Sequence, residues 1–196
     1  MVTARTRTRD IARSAVRGEL AQVAFGLFSR EGFAKVTLDD LAAAAGVSRS
    51  TFLRYFGTKE EVVLSAFDPV GDRMAQALRE RPADEDDWTA LRRSLDPAVD
   101  HFAHRSADSI TMLRLVQETP ALCARLRDKQ VGWRPGLVDI LVGRPGAGEA
   151  DVFAARMRVG ATLECLILGL ERWVETDGRL DLGTIVDDAF AALTGP

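Results

Sequence analysis

Residues Thr37 to Phe56 read TLDDLAAAAGVSRSTFLRYF, and the order of caps, apolar residues and glycines in this stretch decides the fold. Thr37 and Asp40 have the spacing of a capping box, and Val36 with Leu41 that of its hydrophobic staple. Gly46 closes this helix after four alanines. Ser48 then caps a second short helix, with Val47 and Phe52 as its staple, and Gly57 ends it. Thr58 and Glu61 repeat the capping spacing and open a further helix. Upstream, Val16, Leu20, Val23, Ala24, Leu27 and Phe28 form a helical stripe from about Asp10 to Glu31, stopped by Gly32. Three glycine stops with hydroxyl restarts predict a three-helix unit whose last two helices make a helix-turn-helix.

The exposed chemistry of the second short helix follows from its wheel. Phe52 and Phe56, four apart, anchor one face. Ser50 and Arg54 lie opposite, Arg49 and Leu53 on one flank, Thr51 and Tyr55 on the other. Arginines at Arg49 or Arg54 suit a bidentate bond to a guanine edge in the major groove of double-stranded DNA. Ser48, Thr51 and Tyr55, with the free amides of the helix start, suit phosphate oxygens. Thr37 and Lys59, at two other helix starts, extend that backbone track. Arg5, Arg7 and Arg9 form a basic arm over residues 1–9, either entering a minor groove or standing as a solvated tail.

Charge agrees with this division. Of 26 Lys/Arg and 29 Asp/Glu, the first sixty residues hold ten and six, a net +4 within an overall −3, which leaves −7 for the rest. A basic small lobe on an acidic large one suggests that the first meets a polyanion. The expected domains are 1–57, binding DNA, and 58–196, a helical ligand-binding and dimerisation domain. In the second, the pattern predicts one continuous helix from Thr58 to Arg81, then a helix from about Asp86 to His104 broken near Pro97. Further helices are expected at about Ser109–Glu118, Pro120–Leu141 with a kink at Pro135, Glu149–Glu175 and Leu182–Leu193. No period-two run survives, so the fold class is all-α.

Enzyme classes find no support. There is no GxSxG, GxGxxG or P-loop pattern. His101 and His104 have metal spacing without accompanying ligands, so no metal or cofactor is expected. Cys123 and Cys165 read as reduced, packed thiols. The reduced thiols point to the cytoplasm; the longest apolar run, Cys165 to Leu170, is too short for a bilayer, and the basic N-terminus lacks a following apolar segment, so no membrane partner and no secretory signal are expected.

The run FSREGFAKVTLDDLAAAAGVSRSTFLRYFGTKEEVV resembles the DNA-binding domain of the TetR family of bacterial transcriptional regulators. The resemblance implies a homodimer reading a palindromic operator, usually as a repressor, although DNA contacts leave the sign of regulation open. It places Thr37, Ser48, Thr51, Tyr55 and Lys59 at phosphate-contacting positions and Arg49 and Ser50 at base-reading ones. Leu53 stands where the family usually has Tyr, and either meets a thymine methyl or packs. The runs RLVQETPALCARLRDKQVGWRPGL and LERWVETDG are similar to a subgroup described as binding acyl-CoA-like ligands, including mycofactocin-type regulators.

That architecture implies a ligand pocket in the middle helices, with Phe67, Phe102, Met112, Leu115, Val116, Trp133 and Phe153 as wall or plain core. It implies a four-helix dimer interface from the last two helices. Leu163, Leu166, Ile167, Leu170 and Trp173, with Ile185 and Phe190, recur at helical spacing there and serve as interface or as core.

Overall fold

The computed structural model describes residues 4–104, 106–144 and 151–194. Among them every regular element is helical, and the chain divides into two compact units, Met1–Ser65 and Ala66–Pro196.

The first unit holds α1 (Ala4–Glu31), α2 (Leu38–Ala44), α3 (Arg49–Phe56) and α4 (Lys59–Leu64). Leu20, Ala24, Leu27 and Phe28 of α1 are buried with Val36, Leu41, Phe52, Phe56 and Val62. Phe52 and Phe56 tilt against each other at 5.3 Å between ring centroids. Val16 and Val23 are exposed, against the expected stripe, because the buried strip of α1 runs through Leu20, Ala24 and Leu27. Gly46 and Gly57 take φ values of 66° and 62°, a backbone that glycine adopts without steric cost. α1 begins at Ala4, six residues earlier than expected, so the arm reading of residues 1–9 is corrected for residues 4–9. No glycine or proline stops a helix there, and arginine and alanine favour one. The side chains of Arg5, Arg7 and Arg9 lie outside the described residues.

The expected continuous helix from Thr58 to Arg81 is overturned. α4 ends at Leu64, a 3₁₀ turn covers Ser65–Phe67, and α5 runs Asp68–Arg79. Pro69, in the first turn of α5, supplies no amide and would clash with the carbonyl of a preceding α-turn. The Ser65 hydroxyl, donating to the Val62 carbonyl at 2.7 Å, finishes α4.

α6 (Asp87–Ser94) and α7 (Asp96–Ala103) separate at Leu95, where Pro97 starts the second helix. α8 (Ser106–Glu118), α9 (Pro120–Val142), α10 (Val152–Glu175) and α11 (Leu182–Thr194) follow. α9 runs through Pro135. α10 packs on α6, α8, α9 and α11. Gly169 admits the approach of α11, since a Cβ there would stand 3.1 Å from Val186. Gly160 faces open space.

Candidate nucleic-acid interface and effector cavity

The helix-turn-helix is held by the caps its sequence announced. The Thr37 hydroxyl accepts from the Asp40 amide at 3.2 Å, while an Asp40 oxygen accepts from the Thr37 amide at 2.9 Å and its hydroxyl at 2.7 Å. These bonds, the hydroxyl first, hold the Asp40 carboxyl below its usual range. Ser48 accepts from the Thr51 amide at 3.1 Å and bonds the Thr51 hydroxyl at 2.9 Å and the Ser50 hydroxyl at 3.0 Å. A helix of eight residues has little stability alone. The Ser48 cap and the buried Phe52 and Phe56 fix it, leaving Arg49, Ser50 and Arg54 exposed and Leu53, Thr51 and Tyr55 half-buried.

Three neighbours of this face escaped the sequence reading. Asp39 of α2 pairs with Arg49 at 3.5 Å. Arg13 donates to the Arg54 carbonyl at 3.3 Å and lies over the Tyr55 ring. Arg17 lies 5.1 Å from the Phe56 ring centroid. None of these partners is local in sequence except through helix packing. Lys59 differs from expectation: its ammonium donates to the Phe33 and Val36 carbonyls at 2.9 and 3.2 Å and sits over the Phe33 ring. It ties the α1–α2 connection to α4 instead of facing outward.

In the second unit a cavity of about 380 Å³ opens between α8, α9 and α10. Of the expected wall only Val116 lines it, together with Leu113, Leu126, Ile167 and Leu170. Phe67 and Phe102 pack on each other at 5.2 Å, Met112 is buried elsewhere in the core, and Leu115 is half-buried. Trp133 covers Gly71 of α5, and Phe153 is 69% exposed. The aromatic residues chosen from sequence therefore fill core or meet solvent, while aliphatic residues line the space.

Most of the residues expected as interface or core serve as core within this chain. Leu163, Leu166, Leu170, Trp173, Ile185 and Phe190 are buried within this single chain, and Ile167 and Leu170 face the cavity. They lie on the side of α10 and α11 turned to the neighbouring helices. The opposite side of α10 exposes Phe153 and Met157, while Leu168, also exposed, lines the cavity.

His101 is engaged through both ring nitrogens, Nε2 to the Ala66 carbonyl at 2.9 Å and Nδ1 to Arg73 at 3.3 Å. Burial lowers its pKa; the Ala66 bond opposes this and the Arg73 charge adds to it. No cluster of metal-ligating side chains occurs among the described residues, and no described helix is long and apolar enough to cross a membrane.

Residues 20–66 match the family described as bacterial regulatory proteins, tetR family, and residues 85–196 match the MftR C-terminal domain. The chain belongs to the TetR family. It is 30% identical over 191 residues to the HTH-type transcriptional regulator Mb3439c of Mycobacterium bovis, covering 97% of this chain and 95% of that one. It is 28% identical over 183 residues to the mycofactocin biosynthesis transcriptional regulator MftR of Mycobacterium tuberculosis, with 91% and 89% covered. The fold matches that of FadR from Thermus thermophilus, a TetR-family repressor solved with lauroyl-CoA. There the TM-score is 0.59 and the identity 22%, over 90% of this chain and 92% of that one. The TetR-family chain is thus a DNA-binding transcriptional regulator, and neither its family nor its relatives are enzymes.

Proposed function

We propose that the protein is a homodimeric repressor that reads a palindromic operator and is released by a small apolar or acyl-CoA-like effector. The observation that carries the DNA half is the outward face of α3, where Arg49, Ser50 and Arg54 stand exposed on a helix immobilised by Ser48, Phe52 and Phe56. Arg49, Ser50 and Arg54 read bases; Thr37, Ser48, Thr51 and Tyr55 hold phosphates. Lys59 reaches a phosphate only by leaving its two carbonyls.

The aliphatic cavity supports an effector in the second unit, since bundle cores are common ligand sites. Crystallised FadR holds lauroyl-CoA, which favours a ligand with an aliphatic chain. The exposed Phe153 and Met157 fall on one side of α10, away from the residues that line the cavity floor, and suit a second copy. Effector binding lowers operator affinity by favouring a dimer geometry whose two recognition helices no longer fit successive grooves.

The test is fluorescence anisotropy on DNA from upstream of the protein's own gene, with and without decanoyl-CoA or a smaller aliphatic ligand. Tight binding relieved by either supports the whole reading. Tight binding that neither relieves removes the effector, and affinity equal to that for random DNA removes this operator.

A further inference from the structure

We infer that the ligand held between α8, α9 and α10 is a compact aliphatic molecule with an uncharged hydrogen-bonding head, such as a carboxamide, and that Gln130 reads that head. The inference rests on the reading that this cavity is the effector site.

Gln130 is the residue that sets the cavity apart from ordinary core. It is 7% exposed and lines the space. Among the described residues its side-chain amide has no hydrogen-bond partner. Its amide tip is not sealed from solvent among the described residues, so it remains able to bond a molecule held in the cavity. The amide offers both a carbonyl acceptor and N–H donors. A ligand head that also carries one of each satisfies both ends at once, whereas a carboxylate or thioester only accepts.

The surroundings limit the rest of the molecule. Leu113, Val116, Leu126 and Leu170 are buried and give an aliphatic floor. At the mouth Arg127 and Arg134 stand two helical turns apart on α9, and Glu164 and Glu171 two turns apart on α10. Among the described residues none of these four is ion-paired. Two cations against two anions leave no net field for a polyanion: phosphates drawn to the arginines are repelled by the glutamates. The volume of about 380 Å³ also falls near the lower end of the ~300–1,000 Å³ typical of ligand pockets. Size and charge balance both select a small neutral molecule over a nucleotide-bearing thioester.

Cys123 supplies a built-in reporter. It lines the cavity half-buried, two helical turns before Gln130, while Cys165 is buried and its thiol is pushed up chiefly by burial. Iodoacetamide therefore labels Cys123 first. The experiment follows that labelling by mass spectrometry on the full chain against decanamide, decanoate and decanoyl-CoA, with operator anisotropy in parallel.

Decanamide is expected to protect Cys123 at a concentration at least ~10-fold below the other two, a difference of ~1.4 kcal/mol. Gln130→Leu is expected to bring the three within ~3-fold of one another while keeping the helical circular dichroism. If Gln130→Leu does not fold, Gln130→Met carries the same comparison. Protection by decanoate or decanoyl-CoA at or below the decanamide concentration overturns the head assignment. So does a decanamide preference that survives loss of Gln130, and so does no protection by any of the three. Protection by decanamide without a change in operator affinity supports the head assignment and overturns the effector reading instead.

Discussion

Arg49 of the recognition helix lies 3.5 Å from Asp39 of α2, with both side chains more than half exposed, 59% and 67%. At that exposure the pair adds little to folding, ~0–1 kcal/mol. Its consequence is for DNA: the acid competes with a base edge for the arginine and sets its approach. Asp39→Asn is expected to leave the melting temperature unchanged and to tighten binding to random DNA more than to operator. Arg49→Ala is expected to cost ~1–3 kcal/mol on operator and less on random DNA. Anisotropy on both DNAs at one salt concentration checks this, and equal losses on the two would remove Arg49 from base reading.

Ser48 is the hinge of the turn. Removing its hydroxyl strips the Thr51 amide and hydroxyl of their partner. Ser48→Ala is expected to lower stability by ~1 kcal/mol in urea unfolding, with Ser48→Asp recovering most of it because aspartate also caps. Operator affinity separates the two roles: Ser48→Asp restores the helix but places an anion beside phosphate, so binding stays weak.

The caps and glycines that define the first unit were legible because they act within three or four residues of themselves. The Thr37 and Ser48 caps and the Gly46 and Gly57 turns depend on no distant contact. The 3₁₀ turn at Ser65–Phe67 was hidden for the opposite reason. Val62, Val63, Phe67 and Val70 keep a helical apolar rhythm across it, and the geometry yields only to Pro69. The cavity was less legible still. Phe67, Phe102 and Trp133 look like pocket walls in one dimension, yet whether an apolar side chain meets a void or a neighbour is decided by other helices. Gln130, a polar residue in a mostly apolar setting, was the available signal.

Gly71 of α5 has Trp133 of α9 laid directly upon it: a Cβ at position 71 would stand 2.4 Å from the indole. Gly71→Ala is expected to destabilise by ~1–3 kcal/mol through overpacking, the gain in helix propensity notwithstanding. Combining it with Trp133→Leu is expected to cost less than the sum of the single changes, because the clash is gone. Additive losses in denaturant titrations would mean that the contact is not the cause. The same contact joins α5 to the helix that carries Gln130, so Gly71→Ala is also expected to shift the ligand concentration needed for DNA release.

Phe153 and Met157 offer a direct test of the proposed dimer. Replacing Met157 by Glu puts a charge on that exposed side without touching this chain's core. Sedimentation equilibrium is expected to show a monomer, with circular dichroism unchanged and operator affinity reduced. Glu in place of the buried Leu163 is expected to unfold the chain instead, since an unpaired charge in that position has no water. A Met157→Glu protein that remains dimeric would move the interface off this face of α10.

His101 gives the fold a pH dependence whose sign can be worked out. Its folded pKa is lowered, chiefly by burial, so the native state favours the neutral ring. Donation from Nε2 to the Ala66 carbonyl leaves Nδ1 free to accept from Arg73. The unfolded chain, with its ring near the ordinary value of ~6.5, takes up a proton before the folded chain does. The stability contributed by the neutral ring is thus complete above that value and is lost as pH falls below it toward the lower folded value. Between about pH 7.5 and about pH 5.5 the urea midpoint of the wild type is expected to fall further than that of His101→Asn, which has no proton to gain. The Asp40 carboxyl, also lowered, adds its loss only in more acidic solution, so the two contributions separate along the pH axis. Equal falls in the two proteins would show that His101 carries none of this dependence.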